Sequence, residues 1–151
     1  LPDFSHFHPA FCPDGDPGSK TGDIRKAYFL AYDEEQYEYL CIEDGSIEKE
    51  QTRGREVVSA SFVIPYPPGF PILVPGQVVS AAILEFMRAL DVKEIHGYRD
   101  DLGLCVFTEG AMRHLVERPK VAQLEKVVAK LEAKLESVEG ETVKEVNDAK
   151  K

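Results

Sequence analysis

The stretch SFVIPYPPGFPILVPGQ, residues 61–77, decides how the rest of the chain is read. Its first half, with Ser59 and Ala60 before it, is β-branched and apolar enough for a buried strand over 59–66. Five prolines then fall within eleven residues (Pro65, Pro67, Pro68, Pro71 and Pro75), and they forbid regular structure until Gly76. So many fixed φ angles give a loop whose shape costs little entropy when something binds it. Gly69 and Gly76 allow a positive φ or a close backbone approach. Tyr66, Pro67, Pro68, Gly69, Phe70, Pro71, Pro75, Gly76 and Gln77 are therefore the candidate interface or site-entrance residues, and the alternative is a rigid structural corner.

From Val79 the pattern turns helical, because Val79, Ile83, Phe86 and Leu90 recur at i, i+4, i+7 and i+11. KEIHGY (93–98) and LCVFT (104–108) read as two short strands, and Thr108 as the cap of a helix that Pro119 ends. Upstream, IRKAYFLAY (24–32) fits strand or helix, YEYLCIE (37–43) reads as a strand, and Asp44 or Ser46 caps a short polar helix ending near Gly54. The first 22 residues hold four prolines and three glycines, an irregular arm whose Phe4, Phe7 and Phe11 need a neighbouring body to cover them. Short strands and helices without regular βαβ alternation predict an α+β fold, with small mixed sheets, packed helices and a C-terminal amphipathic helix. The expected organisation is a connecting arm over 1–22, an α+β domain over 23–118 and a helical tail over 119–151.

In the tail, Val121, Leu124, Val128, Leu131, Leu135 and Val138 are spaced 3, 4, 3, 4, 3, an a/d seam. A parallel pair sets Lys120 against Glu125 of the partner and Lys134 against Glu139, whereas an antiparallel pair sets glutamate against glutamate. The seam spans fewer than three heptads, so packing on its own body is the competing reading.

Of the 151 residues 43% are hydrophobic and 30% charged, which suits one globular domain and excludes wholesale disorder. The net charge is −9, and the tail from residue 117 carries eight acids and eight bases, so the body holds all of the excess. Such a body disfavours nucleic acid and anionic membrane surfaces, which are bound through Lys and Arg. No apolar run reaches the roughly 18 residues of a membrane span, and the N-terminus has no signal-peptide pattern. Cys12, Cys41 and Cys105 are sparse and odd in number, which predicts buried free thiols and a cytoplasmic setting. His6, His8 and Cys12 have no second cluster at ligand spacing, so no metal site is read. GDPGSKTG (15–22) fails the phosphate-loop spacing, since Ser19 precedes Lys20 where glycine is needed. The adjacent pairs Glu34–Glu35 and Asp100–Asp101 do not face one another on an element and read as solvated.

The stretch 61–77 resembles the C-terminal domain signature of the bacterial ornithine/lysine/arginine decarboxylases. GDIRKAYFLAYDEEQYEYL (22–40), GRE (54–56) and KEIHGYRDDLGLCVFTE (93–109) agree with it in order and spacing. Phe70 stands where the family usually has isoleucine, and Gln77 where it has glutamate, which would remove a carboxylate from a helix start. The resemblance implies a piece of a larger enzyme that removes CO2 from a basic amino acid with pyridoxal phosphate. It implies partners in the enzyme's own N-terminal and cofactor-binding domains, a homodimer or larger homo-oligomer, and a role in walling the active-site entrance. The family's cofactor lysine follows a histidine, and no lysine here does, so the isolated chain should neither hold the cofactor covalently nor decarboxylate. The missing initiator Met fits a fragment or a processed chain. The alternative is a free-standing interaction module that pairs through its C-terminal helix.

Overall fold

A computed structural model describes residues 6–13, 15–91 and 94–149. Phe4 of the arm lies outside the described residues, as do the side chains of Lys120 and Val121 in the tail seam. The chain divides into two compact units, Leu1–Arg113 and His114–Lys151.

The first unit is α+β. In order it contains α1 (Ile24–Leu30), β1 (Tyr37–Leu40), α2 (Ser46–Thr52), β2 (Ile64–Tyr66), α3 (Ala81–Ala89), β3 (Glu94–His96), β4 (Tyr98–Arg99) and β5 (Gly103–Phe107). α4 (Glu109–Ala149) begins in it. One antiparallel sheet has the order β1-β5-β4, with Tyr37 opposite Phe107 and Tyr98 opposite Leu104. The other pairs β2 with β3, placing Tyr66 opposite Glu94. β5 is central and buried along its whole length, which is why its sequence is a continuous apolar run rather than an alternating one. Leu104 and Val106 join Val57, Val63, Leu73, Val79, Ile83 and Leu84 in a fully enclosed core.

The ambiguous stretch 24–32 folds as helix, because Asp23 accepts a hydrogen bond from Lys26 N (2.9 Å) and caps it. α2 starts at Ser46 behind Gly45, which takes the N-cap with φ 74°, while Asp44 accepts from Ser46 N. The long strand expected over 59–66 is confined to Ile64–Tyr66, with single bridges at Ser59 and Val63, because the prolines interrupt the ladder. The expected strand over 93–98 turns at Gly97 into β3 and β4, which join different sheets. α3 is capped by Ser80 and buries Ile83, Leu84 and Met87, so its inward face is rotated from the expected stripe. Phe86 and Leu90 are half-buried, and Val79 enters the core from outside the helix. Thr108 accepts from Ala111 N (3.1 Å) and caps α4 as expected. Pro119 lies inside α4 instead of ending a helix. A proline removes one hydrogen-bond donor, at about 3 kcal/mol, and does not by itself force a break.

The arm is docked. Phe7 and Phe11 are buried, the Phe11 ring lies 5.6 Å from that of Phe107, and Phe7 N donates to Ser19 O (2.9 Å). His8 is committed within the arm, accepting from Ala10 N at Nδ1 (3.1 Å) and facing Glu56 through Nε2 (3.1 Å). Burial holds its pKa below the usual histidine value, against the pull of Glu56. Among the described residues no three His, Cys, Asp or Glu are grouped to hold a metal, and no helix is long and apolar enough to cross a membrane.

Candidate functional site

The proline segment separates into an exposed crest and a buried root. Tyr66, Pro67, Pro68, Phe70 and Pro71 are exposed, and Gly69 N donates to Pro65 O (2.8 Å) to close the tip. Gly69 and Gly76 both take positive φ, 84° and 93°. The chain then dives, as Ile72 N donates to Val63 O (2.9 Å) and Val63 N to Leu73 O (3.0 Å), with both Ile72 and Leu73 buried. Pro75 and Gly76 lie inside, and a Cβ at Gly76 would press on Ala27 and Phe11 at 3.2–3.3 Å. The nine candidate residues are thus not one surface: those up to Pro71 form the crest, and Pro75, Gly76 and Gln77 anchor it.

Gln77 does not start a helix, since α3 begins at Ala81 with Ser80 as its cap. Its side-chain Oε1 accepts from Val74 N (3.1 Å), and its backbone N donates to Val74 O (3.2 Å), closing a local loop. A neutral amide oxygen performs this task, so the carboxylate the family usually has is not needed for it.

Beside the crest lies a cleft of about 740 Å³ that Glu43, Arg88, Glu94, His96, Tyr98 and Asp100 share in lining. Crest and cleft meet where Tyr66 pairs with Glu94 and where the edge of its ring lies against His96, with centroids 4.9 Å apart. That contact follows from register: Tyr66 and His96 sit diagonally across the β2–β3 pair, within reach of large side chains. Glu94 faces His96 at 3.2 Å. Arg88 is occupied elsewhere, donating to Ile42 O (2.7 Å) and to Glu48. That hydrogen bond from Arg88 holds the Glu48 carboxyl below the usual range. The Tyr98 hydroxyl is pushed upward by burial and then by Cys41, Glu43 and Asp100 nearby. Among the described residues the cleft therefore presents three exposed carboxylates, Glu43, Glu94 and Asp100, with the one arginine that lines it already bound.

A second surface was not singled out from sequence. Tyr28, Tyr32, Tyr37, Tyr39, Phe62, Glu34 and Cys105 share in lining a groove of about 460 Å³. Tyr28 stands 5.4 Å from Tyr32 and 6.2 Å from Phe62, and with Phe29 these rings are 37–69% exposed. The signal was spacing: Tyr28 in α1 and Tyr32 in the turn just past it are four places apart, and Tyr37 and Tyr39 are i, i+2 on a strand. It was hidden because Phe62 and Cys105 reach these tyrosines from distant parts of the chain.

The three cysteines differ. Cys105 is buried at the floor of this groove and Cys12 and Cys41 are half-buried, so only one behaves as the enclosed hydrophobe expected of all three. Burial pushes the Cys105 thiol up to about 11, leaving it protonated at pH 8. Iodoacetamide at that pH is expected to label Cys12 and Cys41 in the folded chain and to reach Cys105 only in denaturant. Peptide mapping by mass spectrometry checks the order, and equal labelling of Cys105 in the folded chain contradicts it.

Comparison with solved structures finds the Francisella novicida lysine decarboxylase LdcF at 18% identity, with a TM-score of 0.40 over 62% of this chain. The E. coli constitutive lysine decarboxylase follows at 23% identity, with a TM-score of 0.27 over 57%. The chain covers 14% and 16% of those two chains. No curated protein sequence matches it significantly. Residues 29–104, half of the chain, match the family described as Orn/Lys/Arg decarboxylase, C-terminal domain. That span holds β1 to β4, the proline crest and every residue of the acidic cleft, so this chain belongs to the ornithine/lysine/arginine decarboxylase family as a C-terminal domain.

Proposed function

We propose that the chain serves as the accessory C-terminal domain of a larger, cytoplasmic, homo-oligomeric decarboxylase of ornithine, lysine or arginine. In this reading the arm (1–22) leads in from the preceding domains, the domain proper (23–118) carries crest and cleft, and the tail (119–151) is an appendage. The aromatic groove, with its exposed Tyr28, Tyr32 and Phe62 and the exposed Phe29 beside it, packs against the cofactor-bearing part of the enzyme. The crest and cleft wall the substrate entrance.

The carrying observation is the acidic cleft against the crest. Basic amino acids approach as cations, and three carboxylates, with the one arginine among the described lining residues bound to Glu48, raise the local concentration of positive charge.

Pyridoxal phosphate, when bound by such an enzyme, supplies the electron sink for loss of CO2. The described residues of this chain do not fit it. A lysine that holds the cofactor must sit desolvated in a cavity, but Lys20, Lys26 and Lys49 are exposed and no lysine lines either cleft of the body. The residues here bind and steer, and the bond-breaking step belongs to other polypeptide.

The test uses the decarboxylase that contains this domain. Glu94→Gln combined with Asp100→Asn is expected to lower kcat/KM for the cationic substrate about threefold or more at low salt, through KM, leaving kcat unchanged. The difference should vanish as salt screens the charges. Steady-state kinetics across an ionic-strength series checks it, and an unchanged KM at low salt overturns the entrance reading.

A further inference from the structure

The second unit of the chain has an apolar stripe that none of the above uses. Leu124, Val128, Leu131, Leu135 and Val138 lie along α4 at the alternating 4- and 3-residue spacing of a coiled-coil seam, and each is 51–64% exposed. Val127, 53% exposed, broadens it. A stripe of this kind on a water-exposed helix is a surface that calls for an apolar cover.

We propose that α4 pairs with a second copy of this chain as a parallel, in-register, two-stranded coiled coil centred on residues 124–138. Charge selects the occupant and its direction. The positions flanking the seam on one side are Glu125, Glu132 and Glu139, and those on the other include Val127 and Lys134. Parallel pairing sets each residue of the second set against the residue five places later in the partner, so Lys134 meets Glu139 twice, once on each side of the two-fold axis. Antiparallel pairing sets glutamate against glutamate instead. A copy of the same helix is therefore complementary in one orientation only. Seam identity agrees in its first half, where Val128 at a with Leu124 and Leu131 at d is the combination that favours two strands, whereas Leu135 at a with Val138 at d does not add to it. The seam has a natural end as well: the next position after Val138 is Thr142, Val143 and Val146 fall off the stripe, and Gly140 weakens the helix. A seam this short pairs weakly, so the equilibrium is concentration-dependent in an accessible range.

The experiment is sedimentation equilibrium of the complete chain from about 10 μM to about 1 mM, a span that resolves a weak dimer. The average mass is expected to climb from 16.9 kDa toward twice that value. Leu131→Lys places a charge in the seam and should hold the mass at the monomer throughout, with near-ultraviolet circular dichroism of the tyrosine-bearing body unchanged. Lys134→Glu should weaken the dimer about tenfold by turning two attractive pairs repulsive, and adding Glu139→Lys should restore it. Four results overturn the proposal: monomer at every concentration, as when the stripe folds back on its own chain; a limiting mass above the dimer; association untouched by Leu131→Lys, which places it in the body; or a dimer that Lys134→Glu leaves unchanged, which removes the pairing of Lys134 with Glu139 that parallel helices require. All read mass rather than catalysis, so they are independent of the decarboxylase reading.

Discussion

Gly97→Ala is expected to destabilise the body by more than about 3 kcal/mol, among the largest losses a single methyl group can cause. Gly97 joins β3 to β4, turning the chain from one sheet into the other, and its φ is +83°. That conformation alone costs an alanine about 1–2 kcal/mol. The larger part is steric, since a Cβ would stand 1.8 Å from Phe62 O and 3.3 Å from Val63 Cα. Those atoms are backbone and cannot swing aside. Val63 is tied to Leu73 and Ile72 by hydrogen bonds of 3.0 and 2.9 Å, so relieving the clash means breaking the root of the proline crest. Glu94, His96, Tyr98 and Asp100 flank the turn, and the cleft should distort with it. Gly54→Ala is the control: φ is +90° there, but a Cβ meets nothing within 4 Å, so only the conformational penalty of about 1 kcal/mol applies. Urea unfolding of both variants separates the terms. Equal midpoints would show that the contact with Phe62 is not rigid.

Elements with one strong local signal were legible in the chain itself. The five prolines set the extent of the crest, Thr108 set the start of α4, and the apolar run at 104–107 was a buried strand because it became the central one. What stayed hidden depended on partners distant in sequence. The face of α3 could not be chosen from spacing alone, because Leu84 and Met87 turn inward only once Val57, Val63 and Leu104 supply a surface. The acidic cleft joins Glu43 to residues near 94–100 through the fold, and no motif links those positions. Gln77 was misplaced by analogy with a cap. Three residues separate it from α3, and its amide turns back on Val74. The aromatic groove became visible only in the fold, since Phe62 and Cys105 join the tyrosines of 28–39 from parts of the chain distant in sequence.

Arg55→Ala is expected to cost about 2–3 kcal/mol, because one side chain ties three elements together. The guanidinium, 10% exposed, donates through Nη2 to Glu38 on β1 (2.5 Å) and to Phe107 O at the end of β5 (2.9 Å), and through Nη1 to Glu50 on α2 (3.1 Å). Removing one partner from an enclosed ion pair costs about 3–5 kcal/mol when the remaining charge is cut off from water. Here Glu50 and Glu38 retain 20% and 40% exposure, so water replaces part of what is lost and the lower figure applies. Arg55→Lys should recover only part of the stability, since an ammonium cannot reproduce the planar fork that reaches both carboxylates and the carbonyl. The pH dependence carries a sign. The hydrogen bond from Arg55, and then the nearby Arg53, holds the Glu50 carboxyl below its ordinary 4.5. A depressed carboxyl stabilises the fold above the unfolded value, and that contribution drains away as pH falls through the folded one. The gap between the native chain and Arg55→Ala should therefore be full at neutral pH and narrow once the pH drops beneath 4.5. Arg53, which stays 2.8 Å from Glu50 in the variant, keeps a remnant of the acid dependence. Urea titrations from pH 3 to 7 measure the gap directly, and one that widened toward acid would place the energy of this junction in packing of the arginine stem rather than in its charge.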